Sequence, residues 1–210
     1  MTSGTTHPAS VRHVSFATAG HLDDVGNALL RAADGLLATE GAAALTVRRI
    51  AAEAGMSTMN VYSRFGGKDG VVEQLFLHGF ELLAGGMGEV GATDDPIADL
   101  RRCGQAYRRF ASEHSTLYSV MFERVVADYE PTPAAKAAAL GTLELLAARL
   151  QRAMDAGLVR RMDATHAAAI VWSTCHGVIS LQLKHDGITP VDWQQVFADA
   201  TEAVVSGLAP

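Results

Sequence analysis

The chain has 210 residues and a net charge of −6, with 49% hydrophobic, 19% charged and only 6% aromatic residues. This balance excludes a disordered chain and fits a globular protein that is long enough to bury a sizeable core, as one large domain or two small ones. Because alanine falls in periodic runs and β-branched runs are short and scattered, the composition favours an all-helical fold.

The cysteines and the first residues exclude further classes. Cys103 and Cys175 are far apart and share no CxxC or Cys/His ligand spacing, so a disulfide framework and a structural zinc site are not expected. No other metal and no cofactor is expected either. The first 20 residues lack the pattern of a signal peptide, and no stretch reaches the roughly 18 apolar residues of a membrane span. We therefore expect a cytoplasmic protein without a membrane partner.

The N-terminal part begins with an arm and a helix. Residues 1–20 are rich in Thr, Ser, Gly and His and have no periodicity, which predicts a flexible arm. Apolar residues at helical spacing then predict an amphipathic helix from Leu22 to Gly41.

Two short helices follow in close succession. Thr46 is a candidate N-cap for the first, which ends at Gly55. Ser57 is the candidate N-cap for the second, which reaches Phe65 before Gly66. Glycine between two short helices permits a tight turn, and this arrangement is typical of a helix-turn-helix.

Six more helices are predicted from periodicity, capping residues, glycines and prolines. Their approximate bounds are Lys68–Gly85, Asp95–Ser112, Ser115–Tyr129, Thr132–Ala156, Asp163–His185 and Asp192–Gly207. The glycine-rich stretch at 85–91 is the most plausible boundary between a small N-terminal module and the remainder.

The helix-turn-helix segment carries a local positive charge on an acidic chain. Between residues 46 and 68 the charged side chains are Arg48, Arg49, Arg64 and Lys68 against Glu53. The outward positions of the second short helix are short, polar or basic, as close approach to DNA bases requires. The pattern alone also permits a plain helical hairpin with a solvated face.

The segment from Leu29 to about Leu77 resembles the DNA-binding domain of the tetracycline-repressor (TetR) family. The matching elements stand at fixed offsets. They are Thr46-Val47, Ile50-Ala51, Ala54-Gly55-Met56-Ser57, Val61-Tyr62, Phe65 and Lys68-Asp69. The resemblance implies an all-α, nine-helix protein with a three-helix DNA-binding domain at 21–67. A ligand-binding and dimerisation domain is implied at 68–210, in which 68–88 form a connecting helix.

The resemblance also implies which residues contact DNA. Thr46, Tyr62 and Lys68 match phosphate contacts, whereas Arg48, Thr58, Asn60 and Ser63 are the best candidates for reading bases. The full predicted interface is Thr46, Arg48, Arg49, Ser57, Thr58, Met59, Asn60, Tyr62, Ser63, Arg64 and Lys68. Met59 departs from the small residue that is common in the family, so the base contacts stay open. Gly66-Gly67 departs from a common Pro-Ser, so the rigidity of the connection to the fourth helix stays open.

The C-terminal part is implied to bind a small-molecule effector. Trp172, His176 and Gly177 resemble a Trp-x-x-x-His-Gly segment of one group within the family, and Trp172 and His176 share a helix face. The candidate ligand-binding residues are Tyr107, Phe110, Tyr118, Met121, Phe122, Trp172, Cys175 and His176. For each of them, ordinary core packing is the alternative. The lack of a charged cluster favours a mostly apolar or neutral ligand.

A homodimer is expected through the last two helices. Their apolar stripes are Ile170, Val178, Leu181 and Leu183 on one helix, and Val196, Phe197, Val204 and Val205 on the other. The sequence therefore predicts a ligand-responsive regulator, most simply a repressor, that binds a palindromic DNA operator. The alternatives are a helical small-molecule-binding protein without operator binding and an enzyme. No nucleophile, base and orienting acid stand in a recognisable arrangement for catalysis.

Overall fold

The computed structural model describes residues 22–210, so the predicted arm at 1–20 lies outside the described residues. Within that range the chain forms nine α-helices, one short 3-10 turn and no strand, which confirms the all-α prediction. The helices are α1 (Asp24–Glu40), α2 (Val47–Glu53), α3 (Thr58–Phe65), α4 (Lys68–Gly88), α5 (Pro96–Glu113), α6 (Ser115–Phe122), α7 (Pro133–Asp155), α8 (Ala164–His185) and α9 (Trp193–Gly207), and the turn is Ala42–Ala44. None of these helices is long and apolar enough to cross a membrane.

Most helices begin where the sequence supplies a capping side chain. The Thr46 hydroxyl accepts a hydrogen bond from the Arg49 amide at 3.2 Å, and the Asp163 carboxylate accepts one from the His166 amide at 2.7 Å. Such bonds satisfy amides that have no partner inside the helix. Ser57 precedes α3 without a side-chain capping bond, so its hydroxyl is not committed to the α3 backbone.

Two predictions about the C-terminal part are wrong. α6 ends at Phe122 and not at Tyr129, because the chain turns at Arg124, whose φ of 49° lies outside the helical region. Phe197 was expected on an exposed stripe, but it is only 1% exposed. Its ring packs beside Gly104 of α5, where the missing side chain leaves room for it.

α4 joins the two parts of the molecule. We call α1–α3 the head and α5–α9 the body. Near its start α4 contacts α1 and α3, and along its length it contacts α5, α6 and α7. Val71, Val72 and Leu75 on α4 are fully buried in the shared core. α4 is therefore the helix that both parts share, and α1 of the head also contacts α6 of the body directly.

The far end of α4 is fixed by α7. The Arg149 guanidinium donates to the carbonyl oxygens of Met87 and Val90, both at 2.7 Å. These carbonyls lie in the last turn of α4 and just beyond its end, where backbone amide partners become scarce. The glycines Gly85 and Gly86 remain helical, because the buried Leu83 and Met87 side chains anchor this turn.

Candidate nucleic-acid interface and internal cavity

The head holds α2 and α3 as a helix-turn-helix. Ile50 on α2 and Val61 on α3 are completely buried against each other's helices and α1. Gly55 in the turn has a φ of 68°, a conformation that strongly favours glycine. The turn therefore depends on one residue, and the apolar faces of α2 and α3 point inwards as the sequence predicted.

The opposite face of α3 lies open to solvent. Thr58, Tyr62 and Ser63 are exposed, and Met59 is 70% exposed, which is far more than a core methionine shows. Asn60 is half-buried, and its amide donates to the Ser57 hydroxyl at 3.3 Å. The face thus offers hydroxyls, an amide and one apolar tip to a binding partner.

Two of the four basic residues predicted to contact DNA form ion pairs within the described residues, and two do not. Arg49 pairs with Glu40 at 2.5 Å, on the surface. Arg64 makes a two-pronged contact with Asp23, in which Nη2 and Oδ2 are 2.6 Å apart and Nε and Oδ1 are 2.9 Å apart. The Arg64 guanidinium holds the pKa of Asp23 down at about 2. Arg48 and Lys68 form no ion pair with any residue in 22–210, so their charges are available.

The junction between α3 and α4 is tight. Gly66 caps α3 with a φ of 71°, and Gly67 follows with a φ of 145°. A Cβ atom on Gly70 would overlap with the Phe65 carbonyl oxygen. The end of α3, the candidate recognition helix, therefore rests directly on the first turn of α4, at a distance that only glycine permits.

The body contains a cavity of about 300 Å³ that is partly open to solvent. Its wall is apolar and is built by five helices of the body together with α4. The wall includes Phe80, Leu83, Met87, Leu100, Cys103, Tyr107, Phe122, Leu143, Leu146, Val171, Trp172, Cys175 and Val204. This volume lies at the lower end of the range for small-molecule sites.

Four of the predicted ligand-binding residues line this cavity: Tyr107, Phe122, Trp172 and Cys175. The others lie elsewhere. Tyr118 and His176 stand beside Tyr107, the Phe110 ring packs on His114, and Met121 lies against Gly79. Periodicity marks all of these residues as buried but cannot say which of them borders an empty space.

A hydrogen-bonded aromatic cluster closes one end of the cavity. Trp172 Nε1 donates to the Tyr107 hydroxyl at 3.3 Å, and the Tyr118 hydroxyl lies 2.8 Å from His176 Nδ1. Burial raises the pKa of Tyr118 to about 12 and lowers the pKa of His176. The cluster is therefore neutral at physiological pH, and it forms a rigid polar end on an otherwise apolar chamber.

The walls contributed by α4 and α7 were missed by sequence reasoning. Phe80 and Leu83 on α4, and Leu143 and Leu146 on α7, follow ordinary helical periodicity. Their role arises because α4 and α7 pack side by side in the fold. A sequence pattern records that a residue is buried and does not record what it faces.

Comparison with known proteins agrees with this architecture. The family model "Bacterial regulatory proteins, tetR family" matches residues 29–75. A second model, "Tetracyclin repressor-like, C-terminal domain", matches residues 100–204. None of the curated protein sequences matches the chain significantly.

Solved structures share the fold at low sequence identity. A protein of unknown function from Rhodococcus sp. RHA1 is 23% identical, with a TM-score of 0.78 over 91% of this chain and 98% of its own. The TetR-family transcriptional regulator PfmR from Thermus thermophilus is 22% identical, with a TM-score of 0.70 over 87% and 99%. The fatty acid degradation regulator FadR from Bacillus halodurans is 16% identical, with a TM-score of 0.74 over 90% and 98%.

The two family matches cover the head and most of the body, and together they extend over most of the described chain. They confirm the predicted class of regulator, as opposed to an enzyme. The chain belongs to the tetR family of bacterial transcriptional regulators.

Proposed function

We propose that this protein is a homodimeric repressor that binds a palindromic operator and is released by a small molecule in the body cavity. The observation that carries the proposal is the position of α4. It lines the cavity with Phe80, Leu83 and Met87, and it starts at the end of the recognition helix. Operator binding places its action in the bacterial cytoplasm.

In this proposal some residues of the head contact DNA phosphates and others contact the edges of the bases. Thr46, Tyr62 and Lys68 hold phosphates, because they lie at helix starts or on the exposed face. Arg48, Thr58, Asn60 and Ser63 read base edges. Arg49, Ser57 and Arg64 flank them, and Met59 reaches a thymine methyl group. The exposure of Met59 and Tyr62, at 70% and 55%, supports this division.

The dimer in this proposal forms through α8 and α9. Leu181 on α8 is 51% exposed, so it offers apolar surface to a partner chain. Nothing within the protomer lies within 4 Å of the position of a Cβ on Gly177, so a partner helix has room there. A two-fold axis then spaces the two recognition helices by about 34–36 Å, one turn of DNA.

Release follows from differential binding. A ligand shifts the equilibrium between two head spacings only if it binds one of them more tightly. Because α4 borders the cavity and is fixed by Arg149 at its far end, a filled cavity displaces its near end. That end carries Lys68 and contacts α3.

A gel-shift titration on the DNA upstream of the protein's own gene tests the proposal. We expect a specific complex with a palindromic segment, weakened by rising salt and absent on scrambled DNA. Failure to bind any palindrome, including fragments selected from random DNA, would contradict it. It would instead favour a helical small-molecule-binding protein that has lost its operator, in which Tyr62→Ala and Lys68→Ala have no functional effect.

A further inference from the structure

The polar side chains in the wall of the cavity are already hydrogen-bonded. The Thr142 hydroxyl donates to the Ala139 carbonyl oxygen at 2.7 Å, and the Thr201 hydroxyl donates to the Phe197 carbonyl oxygen at 2.7 Å. Both bonds lie within a single helix and need no ligand. These hydroxyls therefore present mainly their methyl groups to the cavity.

The one charged side chain in the described lining is already paired. Arg101 of α5 borders the cavity, and its guanidinium makes a two-pronged contact with Glu202 of α9. Nε lies 2.9 Å from Oε2, and Nη2 lies 3.0 Å from Oε1. Both side chains are about half exposed, at 46% and 53%, so this pair lies at the solvent-facing rim of the cavity. A charged group that moves deeper meets only apolar side chains, where an unpaired charge is strongly disfavoured.

The polar atoms of the aromatic cluster at Trp172 and Tyr107 also have hydrogen-bond partners within the protein. Trp172 donates to Tyr107, and Tyr118 and Tyr107 both lie within hydrogen-bond distance of His176. Cys175 completes this wall as a neutral thiol, because burial raises its pKa to about 12. Among residues 22–210 the lining thus contains no carboxylate, and its one cation already has a partner.

We propose that the cavity selects an uncharged, predominantly apolar molecule and rejects carboxylates and ammonium ions of the same size. The proposal rests on the proposed function in taking the cavity as the effector site. A volume of about 300 Å³ holds roughly ten to fifteen non-hydrogen atoms. The specificity follows from the apolar lining, and Arg101, the only cation of the described lining, lies at the exposed rim and already has Glu202 as its partner.

A fluorescence titration without DNA tests the proposal. The chain has two tryptophans, and Trp193→Phe leaves Trp172 as the reporter in the cavity wall. Trp193 Nε1 makes no hydrogen bond in the described structure, so phenylalanine removes none. The probes are decanol, decanoate and decylammonium, which share a chain and differ in charge. We expect saturable decanol binding and at least about tenfold weaker binding of both ions.

Variants of the cavity wall test where the probes bind and why the charged probes bind more weakly. Ala139→Phe fills the cavity and is expected to abolish decanol binding, whereas Ala137→Phe makes the same change on the exposed side of α7 and leaves it intact. Glu202→Gln leaves Arg101 without its partner at the rim of the cavity, so decanoate is expected to gain about two- to fivefold in affinity while decanol is unchanged.

Each outcome bears on the proposal directly. Equal or tighter binding of decanoate in the protein with Glu202, or binding of no probe, overturns the inference about ligand class. Neither result touches operator binding, which the gel shift measures separately. If the gel shift shows no specific DNA complex while decanol binds as expected, the proposed regulatory function is contradicted and the inferred ligand class is supported.

Discussion

Arg64 and Lys68 carry the same charge and lie close together in the sequence, but the fold uses them differently. The Arg64 guanidinium is bound to Asp23 and so ties the end of α3 to the start of α1. Lys68 forms no ion pair within the described residues and opens α4, where the helix dipole disfavours a cation. A charge kept at an unfavourable position is best explained by a phosphate ligand.

Lys68→Ala is therefore expected to weaken DNA binding almost uniformly. The affinity should fall by about tenfold on operator and on scrambled DNA, and the slope of log K against log salt should fall by about 1. Fluorescence anisotropy at several salt concentrations measures both. Asn60→Ala is the comparison, because it should weaken operator binding and leave scrambled DNA nearly unaffected. Equal losses of affinity on operator and on scrambled DNA for Asn60→Ala would refute the assignment of separate phosphate-binding and base-reading residues.

Asp34 of α1 gives a pH-dependent prediction at the same scale. Burial raises its pKa to about 6, and Oδ1 makes no hydrogen bond in the described structure. The folded state prefers the protonated form, so the fold loses stability as pH rises through about 6. Asp34→Asn should raise Tm by about 2–6 °C at a pH of about 7.5 and have almost no effect at a pH of about 4. Calorimetry at the two pH values checks this, and a gain that is independent of pH would contradict it.

At the scale of elements, α4 is held at three points. In its first turn, Gly70 packs against the Phe65 carbonyl group, and in its last turn the Met87 carbonyl oxygen accepts a hydrogen bond from Arg149. Between them, the Glu73 carboxylate accepts hydrogen bonds from the Tyr129 and Thr132 hydroxyls, at the start of α7. α7 also lines the cavity, so Glu73 links the N-terminal end of this cavity-lining helix to α4.

Gly70→Ala is expected to separate α3 from α4, because its Cβ would overlap with the Phe65 carbonyl oxygen. We expect a Tm lower by about 5 °C or more and DNA binding weakened at least about tenfold. Gly35→Ala on α1 is the matched control, since nothing lies within 4 Å of its Cβ position. The control should be neutral or slightly stabilising. If both variants bind DNA equally well, the junction does not set the position of the recognition helix.

At the scale of the whole molecule, the apolar surfaces fall into two groups. The cavity is an apolar, concave site within the body, whereas Leu181 and the surface around Gly177 face outwards on α8. A concave apolar site suits a small ligand, and an outward-facing apolar surface suits a second protein chain. The two sites share α8, so occupancy of one can influence the other.

Leu181→Asp should disrupt the proposed dimer. Burying an unpaired carboxylate in each copy of an isologous interface is unfavourable, so the protein should become monomeric at micromolar concentration. Sedimentation velocity measures the mass, and operator affinity should fall at least about tenfold. Leu145→Asp makes the same change at another exposed leucine, 39% exposed on α7, and should leave the dimer intact. A dimer that persists in Leu181→Asp would place the interface elsewhere.

Local sequence determined the helices and the shape of the head. Thr46, Gly55 and Gly66 act within a few residues of themselves, through a capping bond or a positive φ, so their effects can be read without the fold. The apolar face that buries Ile50 and Val61 follows from helical periodicity in the same way. The candidate recognition surface was therefore accessible to sequence reasoning.

Only the tertiary structure decided the rest. The pairing of Arg64 with Asp23, the burial of Phe197 and the selection of Tyr107 and Trp172 for the cavity wall each depend on residues far apart in the chain. Periodicity fixes which side of a helix is apolar, because it repeats every few residues. It carries no information about which helix packs against that side, or where the packing leaves an empty space.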